Sequence, residues 1–265
     1  MSGDSFEISA FWANRKETAS ECAERLARML EKLAVISPAF LRWNETGYTR
    51  QDAMTPFCKM PPTVDELTAI VQERIARKDF PAGQPWPEQG FRVWAWNAID
   101  GPRGASFSFR AGVYGSHLPY PNQAEIRFAS SSASNADVAN PGTTKAMLEQ
   151  LVAAWQPLWG GIFSLTYRGL RISPQPNMTR EEIARRPIGP APLFWNPGWM
   201  AYLSNDYSRL FAPPPDARVE NLAGGGILVS TTDELFSSEN SKHLAAADEL
   251  GAALKRLEAD VRARQ

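Results

Sequence analysis

The sequence predicts an α+β fold: one domain spanning residues 6–261, with a mixed, mostly antiparallel sheet and amphipathic helices packed on it. Three observations carry this expectation. Strand-like segments at 91–99, 105–114 and 124–129 follow one another in the middle of the chain, the order that lets consecutive strands pair. Long segments near both ends instead repeat apolar residues at helical spacing, so helices lie outside the strand block. The balance of 43% hydrophobic and 22% charged residues in a chain of 265 is that of a globular protein with a sizeable core. No linker divides two cores.

The elements follow in order. Phe6, Ile8, Ala10 and Trp12 recur at every second position and predict a first strand. Thr18 and Glu21 form a capping box, in which hydroxyl and carboxylate each satisfy an orphan amide. Behind it Cys22, Leu26, Met29, Leu30, Leu33 and Ile36 keep helical period until Pro38. Thr63 and Glu66 predict a second capping box, opening a helix with Leu67, Ile70, Val71 and Ile75 inward. Residues 80–88 are a proline-rich connector.

The strand at 91–99 carries large residues at both parities, which predicts cover on both faces. A turn at 100–104 leads to a strand with Phe107, Phe109, Ala111 and Val113 inward and Ser106, Ser108 and Arg110 on a wet face. Ala124, Ile126 and Phe128 repeat the alternation, and residues 130–142 form a polar loop. Thr143 or Thr144 is expected to cap a helix with Met147, Leu148, Leu151, Val152 and Trp155 inward, stopped by Pro157. A strand is expected over 161–168, and residues 169–198, with six prolines, are irregular. Residues 199–204 form a strand. Residues 218–222 and 227–232 form a hairpin around Gly224–Gly226. The last helix runs over about 241–262 with Leu244, Ala247, Leu250, Leu254, Leu257 and Val261 on one seam.

Composition narrows function before any motif does. Two histidines and two cysteines leave little room for metal, thiol or serine–histidine chemistry. His117 and His243 are far apart in sequence and fit no metal-ligand spacing; His243 is read as a surface residue near the start of the last helix, and His117 as an exposed turn residue. Cys22 lies on an apolar helix face. Lys59 could lower the pKa of Cys58, but one neighbour favours an idle thiol instead. Gly224–Gly226 lacks the lysine and following helix of a phosphate loop. No catalytic residue, metal site or cofactor is therefore predicted. Net charge is −1, which supplies no global attraction for nucleic acid or an anionic membrane. The N-terminus has no signal-peptide pattern, and the apolar stretch 150–167 is broken by Pro157, Gly160 and Gly161. These features point to a cytoplasmic protein with no membrane span.

Charge is uneven despite the balanced total. Residues 212–241 hold five acids and Arg218 alone, a net of −4, whereas 168–186 have a net of +3. The acidic segment carries Asp216, Glu220, Asp233 and Glu234, and the hairpin is expected to bring Glu220 and Asp233 close together. Such a cluster is a candidate face for a basic partner.

Five segments in register resemble the bacterial immunity protein 52 family. They are Phe11-Trp12 with Arg15, Glu17, Cys22-Ala23 and Arg25; Gly90-Phe91 leading to Trp96-Asn97; Ala154-Trp155 through Pro157 to Trp159-Gly160; Gly198-Trp199 to Tyr202-Leu203-Ser204; and Val219-Glu220, Leu222, Gly225-Gly226, Leu228 and Thr232 to Phe236. They reach from the first strand nearly to the last helix. The resemblance implies an α+β antitoxin of a polymorphic toxin system that binds and neutralises a cognate toxin. That toxin is expected to be a DNase with a restriction-endonuclease-like fold, delivered by type VI or related secretion. The family pattern supplies no catalytic residue. Against a nuclease, Asp216, Glu220, Asp233 and Glu234 become the expected toxin contact, because a DNA-cutting enzyme presents a positive cleft. The motif tryptophans Trp155 and Trp199 are expected to be structural. Two other readings stay open: a small-molecule or glycan-binding module using the tryptophans, and an enzyme built from Asp, Glu and Tyr. The sequence leaves the oligomeric state open.

Overall fold

The computed structural model describes residues 4–46, 51, 54–97, 104–130, 138–172 and 192–264. The elements in chain order are β1 (Ser5–Trp12), α1 (Ala19–Ile36), a 3₁₀ turn (Pro38–Phe40), β2 (Asn44–Glu45), α2 (Val64–Glu73), β3 (Gln89–Trp96), β4 (Ser106–Val113), β5 (Asn122–Ala129), α3 (Pro141–Trp155), β6 (Trp159–Ser164), α4 (Leu165–Ile172), β7 (Gly198–Leu203), α5 (Asn205–Ser208), β8 (Arg218–Asn221), β9 (Ile227–Ser230) and α6 (Ser241–Arg262). The strands form one nine-stranded sheet in the order β2-β3-β4-β5-β1-β6-β7-β9-β8. Every pairing among these strands is antiparallel, so the expected mixture of directions resolves into a purely antiparallel sheet. β1 sits near the middle, between β5 and β6.

Strand alternation divides the core between the two faces. Phe6, Ile8, Ala10 and Trp12 of β1 point to one face, where Leu26, Leu30 and Leu33 of α1, Leu67 and Val71 of α2, and Met147, Leu151 and Trp155 of α3 cover them. Phe11 of β1 points to the other, with Trp159 and Phe163 of β6, Leu203 of β7 and Val229 of β9. There Leu250, Leu254 and Leu257 of α6 cover them. On that second face β3, β4 and β5 carry polar residues instead, and Arg92, Trp94 and Arg127 are exposed. The expectation that β3 is covered on both faces is therefore corrected: Trp94 is 49% exposed.

Local signals decide most boundaries. The Thr18–Glu21 capping box forms in both directions. The second box forms only half: Thr63 accepts the Glu66 amide, but the Glu66 carboxylate accepts the Lys59 N–H instead. Ile75 lies beyond the end of α2 and bridges to Phe91. Asn140, not Thr143 or Thr144, caps α3, with Pro141 in the first turn. Thr144 turns inward and donates to the carbonyls of Val138 and Asn140. The strand expected over 161–168 starts earlier and ends at Ser164, whose hydroxyl accepts the Tyr167 N–H and begins α4. Much of the 100–104 turn, the 130–142 loop and the irregular 169–198 segment lies outside the described residues.

Two glycines are required by close approach. A Cβ on Gly160 would lie 2.5 Å from the Ser9 carbonyl oxygen on the neighbouring strand. Gly226 has φ +84°, and a Cβ there would lie 2.4 Å from the Leu203 carbonyl oxygen, so only glycine turns the β8–β9 hairpin against β7.

Candidate functional site: charged surfaces of the sheet

The first, third and fourth segments that carry the family resemblance are built into the fold through buried contacts. Glu17 is buried, and its Oε1 lies 2.8 Å from Arg25 Nε and 3.1 Å from Arg15 Nη2. The same two guanidiniums donate to the last carbonyls of α3, Arg25 to Ala154 at 2.9 Å and Arg15 to Trp155 at 3.0 Å. Cations at a helix C-terminus oppose the helix dipole, so the cluster ties β1 and α1 to the end of α3. Trp155 is fully buried and stacks on Trp12 at 5.3 Å. Trp199 is equally buried and donates to the Thr232 carbonyl at 3.3 Å.

The four acids predicted as a contact lie at the β8 edge of the sheet. Asp233 and Glu234 follow β9 with side chains 70% and 80% exposed. Glu220 and Asp233 do meet, through Arg218, which lies 3.3 Å from the first and 3.1 Å from the second. Glu220 also takes Lys145 of α3 at 2.5 Å. Asp216 is exposed in the turn before β8, and none of the ion pairs among the described residues includes it. Glu234 turns toward His243, 3.6 Å from its Nε2. Two cations thus sit among four carboxylates. The patch is acidic but weaker than the sequence count, because Lys145 is 75 residues away in the chain and invisible to a local tally.

His243 is not on the surface. It is 7% exposed, stacks on Phe236 at 5.7 Å and accepts the Ser237 N–H at Nδ1. Its place at the first turn of α6 had suggested exposure; the buried Phe236 ring draws it in. His117 is exposed, as expected.

Cys22 and Cys58 are both buried and unpaired. Burial pushes the Cys58 thiol up to about 12, and Glu66 adds to the rise. Lys59 does not activate it. The Cys22 thiol is raised further, again by burial first and Glu17 second. At pH 8 neither thiol holds an appreciable thiolate fraction. We expect a thiol reagent to label neither cysteine in the native chain and both after denaturation; rapid native labelling of Cys58 would contradict this burial.

A second polar cluster, which sequence reasoning did not single out, occupies the open face of the sheet. Glu7 of β1 and Glu125 of β5 flank Arg127, which lies 2.9 Å from Glu7 and 3.4 Å from Glu125. The Ser9 hydroxyl donates to Glu7 and the Ser108 hydroxyl to Glu125, each at 2.8 Å. Arg168 of α4 lies 3.7 Å from Glu7. Burial raises the Glu125 carboxyl, and the Glu7 charge raises it further. These bonds cross β4, β5, β1 and α4, so the cluster fastens strands and helix.

Two clefts border this face. One, of about 420 Å³, is lined by Arg74, Arg77, Trp86, Arg92 and Trp94. The other, of about 200 Å³, is lined by Phe11, Arg110, Tyr120, Trp159 and Trp195. The aromatic cleft is smaller than the roughly 300–1,000 Å³ usual for small-molecule sites. Among the described residues no group of three or more His, Cys, Asp or Glu could hold a metal ion, and no helix is long and apolar enough to cross a membrane.

No curated protein matches the chain. The Pseudomonas aeruginosa T6SS protein PA0821 has a similar structure, with TM-score 0.54 and 11% sequence identity over 97% of this chain and 77% of that one. At that identity the likeness is one of fold. The family model described as Immunity protein 52 matches residues 4–259, which takes in β1 through nearly all of α6. The chain belongs to the immunity protein 52 family.

Proposed function

We propose that this immunity protein is a stoichiometric, non-catalytic inhibitor of a DNA-cutting toxin, acting in the cytoplasm of the cell that makes the toxin. Family membership supports the binding role. The fold likeness to a T6SS protein supports delivery of the toxin by type VI or related secretion. The observation that carries the nuclease reading is the acidic β8 edge, where Asp233 and Glu234 project beside Asp216 and Glu220. Carboxylates there accelerate encounter with a positive cleft and exclude DNA from it. We take residues 6–261 as one folding unit, since a single sheet draws strands from residue 5 to residue 230; limited proteolysis that left two stable halves would count against this.

The test is kinetic. The probe is the polypeptide encoded by the adjoining gene, taken as the candidate toxin and produced with its active site disabled. Reversing Asp233 and Glu234 to lysine should slow association about tenfold at low salt, and raising ionic strength should slow the wild type in the same direction. Both side chains are largely exposed, so the melting temperature should move little. Association insensitive to both changes would remove the acidic edge from the contact.

A further inference from the structure

The open face of β3–β5 carries a charge arrangement that the fold does not use. Arg92 of β3 and Arg110 of β4 are direct register partners in the antiparallel ladder. Like charges placed opposite each other in a sheet are destabilising. Burial, and then the charge of Arg92, pull the Arg110 guanidinium down. Arg110 Nη2 bonds Gln89, while its Nε is buried with no acceptor. No ion pair among the described residues takes up either guanidinium. Glu73 and Asp79 line the same cleft as Arg92, yet neither pairs with it. Arg127 and Arg168 spend their charge on Glu7 and Glu125. Among the described residues, Arg92 and Arg110 are thus left on the strands of this face without a carboxylate partner.

The surroundings are those of an interface. Trp94 stands two residues from Arg92 and half exposed, and tryptophan and arginine are the side chains that anchor protein contacts most often. The two clefts flank the pair, Arg92 lining the larger and Arg110 the aromatic one. A planar guanidinium pair matches a carboxylate in two-point geometry, and a partner carboxylate would offset the repulsion that the free chain carries.

We propose that Arg92 and Arg110 receive a carboxylate-bearing segment of the toxin, which lies across the open face of β3–β5 with apolar side chains in the flanking clefts. This rests on the immunity reading and adds a basic, aromatic contact to it. The acidic edge lies six strands away in the sheet order, and the two contacts fail independently.

The experiment measures binding of the same disabled toxin to wild type, to Arg92→Glu and to Arg110→Met, which keeps bulk and removes charge. Thermal melting of each variant is recorded alongside. Arg92→Glu should raise Kd about 100-fold and Arg110→Met about tenfold, with melting temperatures equal to or above that of the wild type. Folded variants that bind within about twofold of the wild type would overturn the contact and leave the immunity reading standing. A wild type that does not bind this toxin would overturn both. A short fluorescent DNA duplex serves as the second probe. Binding of the duplex by the wild type, lost in both variants, would mark the face as a nucleic-acid site and also overturn the proposal.

Discussion

Replacing Trp155 by alanine is expected to destabilise the fold by about 3–5 kcal/mol, the largest single effect anticipated here. The ring is fully buried where α3 meets the sheet. It stacks on Trp12 at 5.3 Å, leans on Phe109 at 5.0 Å and directs its N–H at the Met29 sulfur at 3.5 Å. Elements β1, β4 and α1 therefore converge on one side chain, and none can collapse into the cavity without dragging its strand or helix. Denaturant unfolding should show a lower midpoint with unchanged slope. Trp199→Ala should behave similarly, since its ring packs on Phe6 at 5.3 Å. Full stability combined with lost toxin binding would make these tryptophans interface anchors instead.

Glu17→Ala is expected to cost about 3 kcal/mol, the lower end of the range for breaking a buried ion pair. The Glu17 side chain is 4% exposed, whereas Arg15 and Arg25 keep 28% and 18% exposure. Removing the carboxylate leaves two guanidiniums beside each other, partly dry, at the end of α3. Their retained access to water is why the upper end of the range is not expected. Replacing Arg25 by alanine should cost less, because Arg15 still neutralises Glu17. Thermal unfolding of both variants checks the ranking. A Glu17→Ala protein as stable as the wild type would mean that the cluster is solvated rather than structural.

The helices with a wide apolar face and a side-chain cap were legible in sequence. The last is an example: the seam from Leu244 to Val261 places it at Ser241–Arg262. The β8–β9 hairpin was legible because turn glycines sit between a short strand-like segment and the apolar run Ile227–Ser230. α4 was missed because Leu165 and Tyr167 also fit a strand, and only the Ser164 hydroxyl's bond to the Tyr167 amide starts the helix. Trp94 was misjudged because a large aromatic side chain signals burial only on average. The acidic edge was visible as local composition, but its partial neutralisation by Lys145 depends on α3 lying beside β8. The Arg92–Arg110 pair required the β3–β4 register, which alternation limits to one parity and does not settle.

The central claim is that this chain silences a toxin by one-to-one contact. The direct measurement is DNA cleavage by the active product of the adjoining gene, titrated with this protein at toxin concentrations well above Kd. Cleavage should fall linearly and reach zero at one equivalent, with the toxin recovered intact in the complex. Cleavage unchanged by excess protein, or lost at far less than one equivalent through turnover of the toxin, would contradict the account.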